Sequence, residues 1–182
     1  MKEEDTRYVF AQSIKDLMYK QALDKITVTD IVRHSGLTRQ TFYRYFKDKY
    51  DLVNWYFERL ADKSFLQIGN SETLQEGLTK KFTFILNDKV FFSEAFKSKD
   101  YNNVENYDYN CILQFYTQII EKKTGGKIPE DIQFLLEMYC HGSITMTVEW
   151  AVGGMKMAPT EMADILIDAL PPKLEQYLSD LQ

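Results

Sequence analysis

The sequence predicts an all-α protein, with an N-terminal three-helix domain built on a helix-turn-helix and a larger C-terminal helical bundle. Two observations carry this. The chain sets 12 Tyr, 12 Phe and 2 Trp against only 4 Pro and 8 Gly, so bulky apolar surface is plentiful and chain breaks are few. Its apolar residues recur three and four apart rather than alternating. With 182 residues there is room for one sizeable domain or two small ones, and 45% hydrophobic against 27% charged residues excludes a disordered or fibrous chain.

Phe10, Ile14, Leu17 and Met18, closed by Ala22 and Leu23, place a first amphipathic helix over about Thr6–Leu23. Thr27 caps a short second helix whose apolar positions are Val28, Ile31 and Val32, and Asp30 three residues on completes a capping-box-like pair. Gly36 can take the left-handed conformation that ends this helix without a Cβ penalty. After the hinge residue Leu37, Thr38 caps a third helix in which Phe42 and Phe46 sit at i and i+4, so that Arg39, Gln40, Tyr43 and Arg44 point elsewhere. Asp48 caps a long fourth helix, Lys49 to about Leu66, with Leu52, Val53, Tyr56, Phe57 and Leu60 as its stripe.

Beyond it, helices are expected at about Glu72–Leu86, Lys89–Ser98, Val104–Lys123, Pro129–Gly153 and Pro159–Leu170, with a short last one over Lys173–Leu181. Pro129 and Pro159 suit first helical turns, where a missing amide costs nothing, and Pro171-Pro172 closes the penultimate helix. The expected division is residues 1–50, carrying the helix-turn-helix at about 27–46, and residues 51–182.

The net charge of −5 taken whole argues against a nucleic-acid partner, because phosphate neutralisation needs Lys and Arg. The charge is unevenly spread, however. Residues 1–50 carry a net +3 and residues 51–182 a net −8. The opening MKEEDTRYVF has acidic residues where an export signal would be basic, and no uncharged stretch approaches the roughly 18–20 apolar residues of a membrane span, so a cytoplasmic, nucleoid-associated protein with no membrane partner is expected. Cys111 and Cys140, with no C-x-x-C, read as reduced core thiols. No P-loop, G-x-G-x-x-G, H-E-x-x-H or G-x-S-x-G is present and only 2 His occur, so neither an enzyme, a metal site nor a cofactor is expected.

Two short helices joined by a tight Gly turn, the second rich in Arg, Gln, Thr and Tyr on its outer face, form a helix-turn-helix signature. Arg39 or Arg44 can give two parallel hydrogen bonds to guanine O6 and N7, and Gln40 the same to adenine N6 and N7, each worth about 1–3 kcal/mol of discrimination. Thr27 with its helix N-terminus, Thr38, Thr41, Tyr43 and Lys49 are placed to donate to phosphate oxygens.

The run TVTDIVRHSGLTRQTFYRYFKDKYDL, Thr27–Leu52, resembles the DNA-binding domain of the TetR family of bacterial transcription regulators, most specifically at Thr41-Phe42-Tyr43-x-Tyr45-Phe46-x-x-Lys49 and Asp51-Leu52. The resemblance implies that Arg39, Gln40, Tyr43 and Thr29 read bases, and that Thr27, Thr41, Tyr45 and Lys49 contact phosphates. Thr29 stands where several relatives have a long basic side chain and Tyr45 where many have His, so the operator cannot be copied from a relative.

More weakly, Glu137–Leu166 is similar to the C-terminal domain of Gram-positive members, including regulators of dihydroxyacetone-kinase operons. That resemblance implies a homodimer on a palindromic operator in double-stranded DNA, a repressor with a small-molecule inducer, or alternatively an activator controlled by a coactivator protein. A dimer face is expected at Leu136, Tyr139, Ser143, Val148, Ala163, Ile167 and Leu170, on the two last long helices. Trp55, Phe82 and Phe92, with Asn110, Gln114 and His141 as polar groups, are the candidate ligand cavity. Ordinary core packing is the competing reading for the aromatics.

Overall fold

The computed structural model describes residues 3–69, 73–100 and 102–178. The expected start of the fifth helix at Glu72 and the expected end of the last at Leu181 lie outside these residues. Among the described residues, ten helices are α1 (Glu3–Met18), α2 (Val28–Ser35), α3 (Arg39–Tyr45), α4 (Lys49–Ala61), α5 (Leu74–Asn87), α6 (Lys89–Lys97), α7 (Val104–Thr124), α8 (Glu130–Val152), α9 (Pro159–Asp168) and α10 (Pro172–Leu178). The all-α class is as expected.

Two helix ends fall well short of expectation. α1 stops at Met18, and Leu23 belongs instead to a separate 3-10 turn, Leu23–Lys25, entered through an extended Ala22 with φ −59° and ψ 145°. Leu23 is still buried, so its apolar character reported core contact rather than helix membership. α4 ends at Ala61, where the Ser64 hydroxyl donates to the carbonyl of Leu60, and Leu66 lies in a second 3-10 turn, Phe65–Gln67.

α1, α2 and α3 close around Phe10, Ile14, Ile31, Phe42 and Phe46 to form a small head. α4 runs from it into the body, where α5 packs on α9, α7 on α8, and α6 and α10 on α8. The buried residues form one cluster from head to body. Inside the body a full ion pair is buried: the Lys81 ammonium of α5 meets both carboxylate oxygens of Asp108 of α7 at 2.7 Å, the two side chains being 6% and 0% exposed.

Candidate nucleic-acid interface

The helix-turn-helix is fixed locally before it is fixed by packing. The Thr27 hydroxyl accepts from the Asp30 amide at 3.2 Å while an Asp30 carboxylate oxygen accepts from the Thr27 amide at 2.9 Å, which satisfies two orphan donors at the start of α2. The Thr27 hydroxyl, which donates to the same carboxylate at 2.6 Å, and then the Thr27 amide hold the Asp30 carboxyl below its ordinary range. Gly36 closes the helix at φ 70°, a left-handed conformation that costs a residue with a Cβ. Thr38 then caps α3 by accepting from the Thr41 amide at 3.1 Å, and the two threonine hydroxyls share a hydrogen bond of 2.9 Å.

Packing sets which face of α3 is free. Phe42 is wholly buried, edge-on to Phe10 at 5.2 Å and against Phe46 at 5.6 Å. With that side committed, Arg39, Gln40, Tyr43 and Arg44 project outward, and the Tyr43 ring is 51% exposed. The Arg39 guanidinium reaches across to the Thr29 hydroxyl of α2 at 3.4 Å and lies 6.0 Å from the Tyr43 ring centre. Arg39, Gln40, Tyr43 and Arg44 therefore share one exposed side of α3, with Arg39 at the junction of α2 and α3 beside Thr29, the fifth residue expected to read bases and also exposed. Thr27 is exposed and Thr41 half-buried at the two helix starts. Tyr45 is half-buried beneath the Arg7 guanidinium, 5.5 Å from its ring centre.

Lys49 is placed differently from the others. Its ammonium donates to the carbonyls of Leu23, Asp24 and Ile26 at 2.7, 2.9 and 2.8 Å, and burial lowers its pKa. Sequence reasoning assigned it a phosphate, but the carbonyls of the 3-10 turn occupy its donors, a contact no local pattern announces.

The head is tied to the body at both ends of α6. At its start, the Asp88 carboxylate receives the Lys15 ammonium of α1 at 2.6 Å and the Tyr56 hydroxyl of α4 at 2.5 Å. At its end, the Asp24 carboxylate of the 3-10 turn accepts from the Ser98 hydroxyl at 2.6 Å, the Tyr50 hydroxyl at 3.1 Å and the Lys99 amide at 3.4 Å. The Ser98 bond, with Tyr50 and Lys99 adding to it, holds the Asp24 carboxyl below its ordinary range.

In the body the expected ligand residues do not converge. Trp55 belongs to the head, packed on Tyr8 and Phe46. Phe82 meets Trp150 at 5.4 Å and Phe92 sits among Phe57, Phe91 and Phe96, all as core. Asn110 and Gln114 lie on the exposed side of α7, and His141 is exposed and stacked on Tyr109 at 4.0 Å. The spacing of those residues carried no information on which helix faces would meet. The void that does lie between α5, α7, α8 and α9 measures about 20 Å³ and is lined by Lys81, Tyr116, Tyr139, Ser143 and Thr147 among others, room for a water molecule.

The expected dimer residues also face inward. Leu136, Tyr139, Ser143, Ala163 and Leu170 are buried within the chain's own core, the Tyr139 hydroxyl donating to the carbonyl of Leu166 at 2.8 Å, and Val148 and Ile167 are half-buried against the same core. The opposite side of the same two helices carries a groove of about 830 Å³ instead, in which Met138, Met146 and Ile165 are 53%, 52% and 50% exposed and Tyr139 and Ser143 reach only the floor. α8 carries apolar residues on both its core side and its groove side, with His141 and Glu149 exposed and Glu137 half-buried, so periodicity marks two candidate faces and does not say which one the chain itself covers.

An exposed, basic recognition helix held on a three-helix head above an all-helical body defines a helix-turn-helix regulator. Residues 13–55 match the family model described as bacterial regulatory proteins, tetR family, and residues 72–171, more than half of the chain, match the model described as transcriptional regulator C-terminal region. The chain belongs to the TetR family of transcriptional regulators, and that membership makes it a transcription factor rather than an enzyme.

Among curated proteins it is similar to the HTH-type dhaKLM operon transcriptional activator DhaS of Lactococcus lactis subsp. lactis (strain IL1403), 30% identical over 95 residues. That match spans 50% of this chain and 49% of the relative, so the chain covers about half the length of the curated relative it matches. Among solved structures, the dihydroxyacetone kinase operon activator DhaS aligns at a TM-score of 0.65 and 20% identity over 94% of this chain and 97% of that one. A TetR transcriptional regulator from Streptococcus agalactiae 2603V aligns at 0.64 and 20% identity over 99% and 95%. At these identities the two structures establish the fold.

Proposed function

We propose that this regulator is a homodimer that binds a palindromic operator in double-stranded DNA through residues 1–50 and is controlled through residues 51–182. The observation that carries the reading is the α3 surface: Arg39, Gln40 and Tyr43 stand outward because Phe42 is buried behind them. Arg39, Gln40, Tyr43, Arg44 and Thr29 read base edges, while Thr27, Thr38, Thr41 and Tyr45 hold phosphates and set the register. A +3 head on a −8 body keeps the attraction to DNA local to the head.

Two recognition helices must reach half-sites about 34–36 Å apart, which one head cannot do. The α8–α9 groove supports the dimer: its Met and Ile side chains form an apolar strip on an otherwise charged body, and an isologous contact buries it twice over. A homodimeric regulator works where the genome is, so the cytoplasm is its place.

As to the signal, the void of about 20 Å³ favours a protein partner over a small inducer, and the name of the relative, an operon transcriptional activator, favours activation over repression. Fluorescence anisotropy on DNA upstream of the protein's own gene tests the reading. The wild type is expected to bind a palindromic segment as one dimer; binding equally well to any sequence overturns it.

A further inference from the structure

The 3-10 turn Leu23–Lys25 lies between α1 and α2, outside the DNA-facing surface, yet it is held from two sides. On one side the Lys49 ammonium, at the start of α4, donates to the carbonyls of Leu23, Asp24 and Ile26 at 2.7, 2.9 and 2.8 Å. An ammonium has three N–H donors, so these bonds occupy all of them and leave none for a phosphate. On the other side the Asp24 carboxylate is gripped by Ser98, the residue that caps the C-terminus of α6, at 2.6 Å. α6 is anchored in the body by Phe92, Ala95 and Phe96, all buried, and packs on α8. From the turn it is one buried residue, Ile26, to Thr27, the cap that opens α2. A continuous line of contacts therefore runs from α8 through α6, Ser98 and Asp24 to the first amides of the helix-turn-helix.

We propose that this turn is the joint by which the body sets the position of α2 on DNA, with Lys49 as a positioning residue that fastens the turn to α4 and the Asp24–Ser98 contact passing the position of α6 to it. The proposal rests on the operator-binding reading above. Movement of α6 relative to α4 would pull the turn against Lys49 and tilt the N-terminus of α2, without any ligand touching the head.

The test uses the full-length protein and a duplex recovered by the wild type from a random-sequence pool. Lys49→Met is expected to weaken binding about tenfold or more while the slope of log affinity against log salt stays at the wild-type value, since a residue that contacts a phosphate contributes about 0.9 to that slope. Ser98→Ala and Asp24→Asn are each expected to weaken it about threefold to tenfold. The double variant should lose no more than the worse single one, because both remove the same contact. Amide hydrogen exchange at Val28–Ile31 in the free protein should quicken in all three single variants.

A slope lower by about one in Lys49→Met would make it a phosphate ligand and overturn the proposal. So would wild-type affinity and exchange in Ser98→Ala, or full additivity in the double variant. Should Lys49→Met fail to fold, the Asp24 variant, at an exposed residue, and the conservative Ser98 variant decide alone. If the wild type enriches no sequence from the pool, the operator reading falls, and exchange at α2 still decides whether the joint exists.

Discussion

Replacing Lys81 by Met tests the interior of the body most severely. The ammonium it removes touches both oxygens of a carboxylate that is 0% exposed. Breaking a buried pair by removing one partner costs about 3–5 kcal/mol, because the remaining charge has lost its compensation. For a chain of this size 1 kcal/mol moves the melting temperature by about 2–4 °C, so Lys81→Met should lower it by about 6–20 °C. The loss should also depend on pH in a stated direction. Burial already raises the Asp108 carboxyl above its ordinary value while Lys81 pulls it back, so the variant raises it further. A group whose folded pKa lies above its unfolded one gives stability that is present below the unfolded value, about 3.9, and lost as pH rises through the folded one. The deficit of the variant should therefore shrink as pH falls towards the unfolded value of about 3.9. In Lys81→Met with Asp108→Leu it should be small and flat, since an apolar pair of similar volume replaces the charges. Thermal unfolding by circular dichroism at fixed protein concentration is the assay. A single variant as stable as wild type, or a deficit unchanged by pH, would refute the reasoning.

Other outcomes follow from the same contacts. Met146→Glu or Ile165→Lys, each 52% and 50% exposed in the groove, should turn the dimer into monomers by analytical ultracentrifugation with the helix content of each protomer kept; dimers of unchanged strength would move the interface elsewhere. A Cβ at Gly153 would stand 2.7 Å from the carbonyl oxygen of Glu149, so Gly153→Ala should cost about 1–3 kcal/mol in urea unfolding, whereas Gly126→Ala, with nothing within 4 Å, should be near neutral. Because the Asp24 carboxyl is held below its unfolded value, its contribution is present above that value and lost as pH falls through the folded one; Asp24→Asn should remove that part of the acid-side decline in the urea midpoint.

What the sequence disclosed was what is local. Thr27, Thr38 and Asp48 are caps because a side-chain oxygen three residues from an amide needs nothing from the rest of the fold, and all three cap as expected. Phe42 at the centre of α3 likewise decides its exposed face through helical geometry alone. The body was less legible. On α8, Leu136 and Tyr139 of the core face and Met138 and Met146 of the groove are equally apolar, so only the packing of α5, α7 and α9 tells them apart. Lys49 reaches back 23–26 residues to its carbonyls, beyond any short pattern. The Lys81–Asp108 pair did leave a trace that went unused: Lys81 stands in the stripe Leu74, Leu78, Phe82, Ile85, and Asp108 in Val104, Ile112, Tyr116, each at a position where helical spacing asks for an apolar residue.

The central claim is that α3 reads DNA sequence through Arg39. Base-by-base substitution of the selected palindrome, measured by anisotropy for wild type and Arg39→Ala, tests it most directly. The account predicts that in the variant discrimination falls by about 1–3 kcal/mol at one base pair in each half-site, symmetrically, and is kept at the others. An equal loss of affinity for every sequence, or no change at all, would contradict it.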